Sequence, residues 1–137
     1  MTTALPAPAP TITLETKPFW EAATEGRLVL PRCDACTTII WYPRAFCPAC
    51  GNASVSWIEA AGTGTVYSFT IVRKGQGPYR DAGAYVVAYV ELDEGPRMMT
   101  NVVDCDPDAV AIGMRVEVTF DATDKGTALP RFRPVGS

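Results

Sequence analysis

The chain has 137 residues, of which 47% are hydrophobic and 20% charged, and its formal net charge is −3. That length is one compact body or a small pair of units, and the apolar share is enough to build a core, which excludes a disordered chain. The charge gives no global positive field for phosphate backbones or anionic lipid. The absence of histidine excludes Ser-His and Cys-His nucleophile schemes.

Residues 1–16 include the run LPAPAP, which lacks core-forming side chains and reads as a flexible, polyproline-type arm. The first seventeen residues show no cationic start followed by an apolar run, so no secretory signal is expected and the location expected is cytoplasmic. The longest clearly apolar stretch, Ala84 to Val90, is far short of the roughly 20 residues a membrane-crossing helix needs. No membrane span is expected.

Pro18 to Thr24 (PFWEAAT) reads as a short helix, with proline near its start and Gly26 beyond its end. Phe19, Trp20 and Ala23 fall on one side of it, as core packing or as a docking face. Arg27 to Pro31 and Ile39 to Tyr42 are strand-like and flank the first cysteine pair, so two knuckles on short hairpins are expected. Trp57 to Ala61 leads into Gly62 to Thr65 (GTGT), where glycines permit close backbone approach as a strand begins. This divides the chain into an arm over 1–16, a helix and ribbon over 17–60, and a barrel over 61–137.

The second half alternates strands and turns: Val66 to Arg73, Tyr85 to Leu92, Arg97 to Cys105, Met114 to Phe120, and a final run near Phe132 to Val135. Asp93 to Pro96 (DEGP) makes a hairpin of the second and third. Gly75 to Gly83 carries three glycines and a proline and reads as a flexible loop. The fold class expected is mainly β: a short N-terminal helical segment, a zinc ribbon, and a five-stranded barrel of the oligonucleotide/oligosaccharide-binding (OB) type.

The strongest chemical signal is Cys33-Asp34-Ala35-Cys36, ten residues, then Cys47-Pro48-Ala49-Cys50-Gly51. CxxC spacing lets two thiolates of a knuckle face one ion, with backbone N–H groups turned toward the sulfurs. Cys33, Cys36, Cys47 and Cys50 are therefore the candidate ligands of one closed, structural Zn²⁺ site. Thr37 follows the first pair where glycine would be easier. Ordinary burial does not require two CxxC pairs, and the strand–helix setting of dithiol redox chemistry is absent. Four thiolates also fit a rubredoxin-like iron. Cys105 stands alone in an expected strand and is given no role.

A ribbon beside an OB-like barrel also invites a nucleic-acid reading, with Tyr67, Phe69 and Tyr85 as stacking rings. From Gly62 onward, however, eight Lys or Arg face ten Asp or Glu, which makes no net basic groove. Arg73, Lys74 and Arg80 form a local cluster that could touch a phosphate.

FWEAATEGRLVLPRC, the cysteine pairs, YPR at Tyr42 to Arg44, GTGTVYSFTIV, YVVAYVELDEG and IGMRVEVTF together resemble an OB-fold family with an N-terminal rubredoxin-like zinc ribbon, long catalogued as a domain of unknown function. The resemblance runs from about Phe19 to Pro134. It implies a helical N-terminal segment, a ribbon with Cys33, Cys36, Cys47 and Cys50 as ligands, and an OB barrel. It also implies a non-catalytic partner of thiolase-like acyl-CoA enzymes, including lipid-transfer-type thiolases and aldolases of steroid side-chain degradation, in a hetero-oligomer with a contact to acyl-CoA. No catalytic residue carries over to this chain, and no nucleic acid is expected as a partner.

Overall fold

The computed structural model describes residues 5–136. The first helix, α1, spans Lys17–Thr24. Pro18 sits in its first turn, where a missing N–H costs no intrahelical bond, and Gly26 ends it at φ 78°, donating to the Ala23 carbonyl. Phe19, Trp20, Ala22 and Ala23 are buried. The Phe19 and Trp20 rings meet edge to face at 4.9 Å, and Trp41 packs on Phe19 at 5.3 Å. The helix therefore spends its aromatic residues on the core, and Phe19 and Trp20 do not form a docking face.

Strands β1 (Val29–Cys33) and β2 (Val55–Glu59) pair antiparallel from Val29 opposite Glu59 to Cys33 opposite Val55. The strand expected over Ile39 to Tyr42 is reduced to one bridge, Ile39 opposite Arg32, with Ile40 N–H donating to the Pro31 carbonyl. Its side chains are divided between clusters. Ile40 joins Cys33 and Cys47 in a small buried group, while Ile39 and Trp41 lean on the main core.

Five strands close a barrel in the order β3 (Thr63–Val72), β4 (Tyr85–Leu92), β5 (Arg97–Val102), β7 (Ala128–Pro134), β6 (Arg115–Ala122), with β6 returning to β3. Alternation along β4 sends Val86, Ala88, Val90 and Leu92 inward, where they meet Val66, Met98, Val102, Val116 and Phe132. The Asp93–Pro96 hairpin is present, closed by Leu92 N–H to the Pro96 carbonyl. Between β5 and β7 the seam is thin: one parallel pairing, Val102 opposite Phe132, and the Thr100 hydroxyl donating to the Pro130 carbonyl.

Several boundaries differ from the sequence expectation. β3 begins inside GTGT, and a Cβ on Gly64 would lie 2.5 Å from the Glu91 carbonyl oxygen, so this close strand approach requires glycine. β5 stops at Val102 because Asp104 takes φ 60° and turns the chain, leaving Cys105 in a loop. β7 starts at Ala128 and tolerates Pro130, whose missing N–H lies on the thinly paired seam.

The Gly75–Gly83 loop, expected to be flexible, contains a 3₁₀ turn over Gly77–Tyr79. Tyr79 stacks on Tyr85 at 5.2 Å. The described part of the expected flexible arm also makes contacts: the guanidinium of Arg131 donates to the carbonyls of Leu5 and Pro6 and to Asp121 at 2.7 Å. Residues 1–4 lie outside the described residues.

Candidate metal centre

The two knuckles share a backbone turn closed four residues on, and differ in which amide faces the leading sulfur. In the first, Cys36 N–H points at Cys33 Sγ (3.4 Å), and Thr37 N–H donates to the Cys33 carbonyl (2.9 Å). In the second, Ala49 N–H points at Cys47 Sγ (3.3 Å), and Gly51 N–H donates to the Cys47 carbonyl (2.8 Å). The residue four beyond the leading cysteine is left-handed both times, at φ 65° for Thr37 and 80° for Gly51. Thr37 meets the same backbone demand as glycine despite its β-branch.

The four sulfurs lie within 4.8 Å of one another. Cys33 and Cys50 are 3.6 Å apart, as are Cys36 and Cys47. A tetrahedral ion with Zn–S bonds of about 2.3 Å holds its sulfurs about 3.8 Å apart, so the donor set fits zinc. A disulfide would bring a pair to about 2.0 Å. Cys33 and Cys47 are fully buried, and Cys36 and Cys50 form the exposed side.

Without an ion the sulfurs compete for protons. The Thr38 hydroxyl, 3.1 Å away, and then the Thr38 N–H draw the Cys36 thiol down to about 6. At Cys50 the Asn52 N–H favours the thiolate, but the neighbouring sulfurs of Cys33, Cys36 and Cys47 together with burial outweigh it and push the thiol up to about 12. A divalent cation relieves this conflict by replacing the protons, which couples metal binding to pH.

The other singled-out residues do not converge. Cys105 lies apart from the cluster, beside a cleft of about 170 Å³ lined by Leu5, Tyr85 and Asp121 among others. Its thiol is raised by burial, then by Asp106 and Asp104, which keeps it protonated rather than nucleophilic. Tyr67 is covered by the Arg97 guanidinium at 3.8 Å, Phe69 packs against the core, and Tyr85 is taken up by Tyr79. Arg73, Arg97, Arg115, Arg131 and Arg133 are each paired with a carboxylate. The rings thus make no shared platform and most of the barrel cations are already spent. Sequence reasoning missed Arg131 altogether: it is 1% exposed, and nothing in its local pattern separates it from the exposed Arg133.

Comparison with known proteins places these features in a family. The family profile described as the ChsH2 rubredoxin-like zinc ribbon domain matches residues 20–56, and that of the ChsH2 C-terminal OB-fold domain matches residues 57–121. A "DUF35 domain-containing scaffold protein" of Methanothermobacter thermautotrophicus is 34% identical over 90 residues, 65% of this chain and 68% of that one. The chain belongs to the DUF35 zinc-ribbon/OB-fold family.

A solved chain of an "Ltp2-ChsH2(DUF35) aldolase" is 42% identical, with a TM-score of 0.83 over 92% of this chain and 98% of that one. The "probable enoyl-CoA hydratase alpha subunit" of Thermomonospora curvata is 42% identical over 127 residues, 93% of this chain, which spans only 40% of that longer relative. A DUF35 protein of unknown function from Sulfolobus solfataricus shares the fold at a TM-score of 0.65 and 14% identity. The metal of a rubredoxin-like zinc ribbon is structural zinc, and the four sulfurs here are placed to bind such an ion.

Proposed function

We propose that this chain is a cytoplasmic, non-catalytic accessory subunit that binds a thiolase-like acyl-CoA enzyme of the lipid-transfer thiolase or aldolase type and helps shape its acyl-CoA site. Cys33, Cys36, Cys47 and Cys50 ligate one structural Zn²⁺ that holds the ribbon in shape for this contact. The observation that carries the reading is the near-complete structural match to the DUF35 chain of an aldolase complex. The missing histidine, which leaves no imidazole for proton transfer, is in keeping with it. The substrate class is a steroid-derived or similar acyl-CoA, an inference supported by a Mycobacterium tuberculosis relative named a 3-oxo-4,17-pregnadiene-20-carboxyl-CoA hydratase alpha subunit, 39% identical over half of this chain and 22% of that one.

With Phe19 and Trp20 buried, the docking surface shifts to the apolar side chains the ribbon side leaves exposed: Leu14, Tyr42 and Phe46. The test is affinity purification of the tagged full chain from its own cells at moderate salt, with identification of what stays bound. A thiolase-fold enzyme is expected, and its recovery should fall when Leu14, Tyr42 and Phe46 are changed together to alanine. A solitary protein overturns the accessory reading. Unchanged recovery by the triple variant overturns the surface alone.

A further inference from the structure

The two knuckles are joined by more than the ion. Cys47 N–H donates to the Asn52 carbonyl (2.9 Å), and the Asn52 side-chain oxygen accepts from Ser54 N–H (2.7 Å). Ser54 in turn accepts at its carbonyl from Asp34 N–H (3.0 Å), inside the first CxxC. The Asp34 carboxylate then accepts two hydroxyls, from Ser54 Oγ just before β2 at 2.8 Å and from Ser56 Oγ within β2 at 2.7 Å, one on each oxygen. An unbroken hydrogen-bonded strut therefore runs from the second knuckle, through the start of β2, to the turn between Cys33 and Cys36.

We propose that Asp34 is a positioning residue of the metal centre, which sets the spacing of the two cysteine pairs through Ser54 and Ser56 before the ion arrives. The proposal rests on the four cysteines being the ligands. Asp34 touches no sulfur in these contacts, and it lies on the solvent side. A carboxylate beside a four-thiolate centre adds like charge, so charge alone would make this position unfavourable for a metal site. Its two short hydroxyl bonds supply a different reason for its presence: they fix the knuckle's orientation, and groups that orient a metal's surroundings affect affinity even though they do not bind the metal. Asparagine loses the charge but can keep both contacts, its oxygen accepting from one serine hydroxyl and its amide donating to the other, which separates the two effects.

The experiment uses the full-length chain and its D34A, D34N and S54A/S56A variants, with zinc affinity measured by competition against a chromophoric chelator and the ligand set read from the visible spectrum of the cobalt(II)-substituted protein. D34A is expected to bind zinc about tenfold more weakly, the low end of what supporting partners of metal ligands contribute. S54A/S56A should match it, and D34N should recover most of the loss. All should keep the tetrahedral four-thiolate cobalt spectrum of the parent. Wild-type affinity in D34A, or weakened D34A beside an unaffected S54A/S56A, overturns the proposal. A parent chain that takes up no zinc overturns the ligand assignment itself.

Discussion

The barrel encloses Val66, Val86, Val90, Leu92, Met98, Val102, Val116 and Phe132, each almost wholly removed from water, whereas the ribbon's own buried cluster is only Cys33, Ile40 and Cys47 with Val55 alongside. Full burial of one such aliphatic or aromatic side chain contributes about 1.5–3 kcal/mol. Burial of this kind supports the barrel's chain order, and the two knuckles have little of it. Structural zinc in small modules supplies about 10–16 kcal/mol of apparent binding free energy at neutral pH. One region is therefore held by apolar area and the other by thiolate bonds, and each should fail under a different insult.

The largest effect expected is that of Cys47→Ser. Zinc content should drop from about one per chain to near zero, as a closed four-thiolate site requires, and amide protection should vanish around the knuckles, over residues 33–38 and 47–54, while β4 stays protected in hydrogen exchange. Joint loss of β4 protection would break the comparison. Leu92→Ala is the reverse experiment: a cavity at a side chain only 2% exposed should cost about 3 kcal/mol in denaturant unfolding, with zinc content unchanged. Gly64→Ala should destabilise the barrel by about 1–3 kcal/mol, because the new methyl group meets the Glu91 carbonyl and the strands must part.

The smallest effect sharpens the comparison through pH. Hydrogen bonds from Arg115 (2.8 and 3.0 Å) and then Thr63 hold the Asp93 carboxyl at about 2, below its ordinary value. A lowered carboxyl contributes stability that is complete above its unfolded value, about 4, and is lost as pH falls through about 2. The difference in melting temperature between parent and Asp93→Asn should therefore be constant near neutrality and shrink between those values. Placing both in the Cys47→Ser background keeps acid release of the metal from obscuring the barrel's response.

Much of this architecture is legible along the chain, for reasons particular to each element. The CxxC spacing shows the ribbon because the geometry lies within four consecutive residues. β4 shows because Tyr85 to Leu92 is a short apolar run rich in valine and tyrosine that ends at a glycine-containing turn. The ends of β3, β5 and β7 do not show, since they depend on partners: Gly64 on the approach of Glu91, Cys105 on the turn at Asp104, and Pro130 on a seam that asks little of its missing N–H. Asp34 reads as a spacer inside CDAC until the chain entering β2 brings Ser54 and Ser56 beside it.

The sequence by itself determined the candidate donor set, the order of helix, ribbon and barrel, and the lack of a histidine-based catalyst, because these follow from residue type and short-range spacing. Only the tertiary structure decided which side chains are spent and which are free. Arg131 is buried on Asp121 and the arm while Arg133 stays exposed, and Phe19 and Trp20 fill the core while Leu14, Tyr42 and Phe46 face solvent. Burial is set by neighbours distant along the chain, and no local pattern records what will pack against a given side chain.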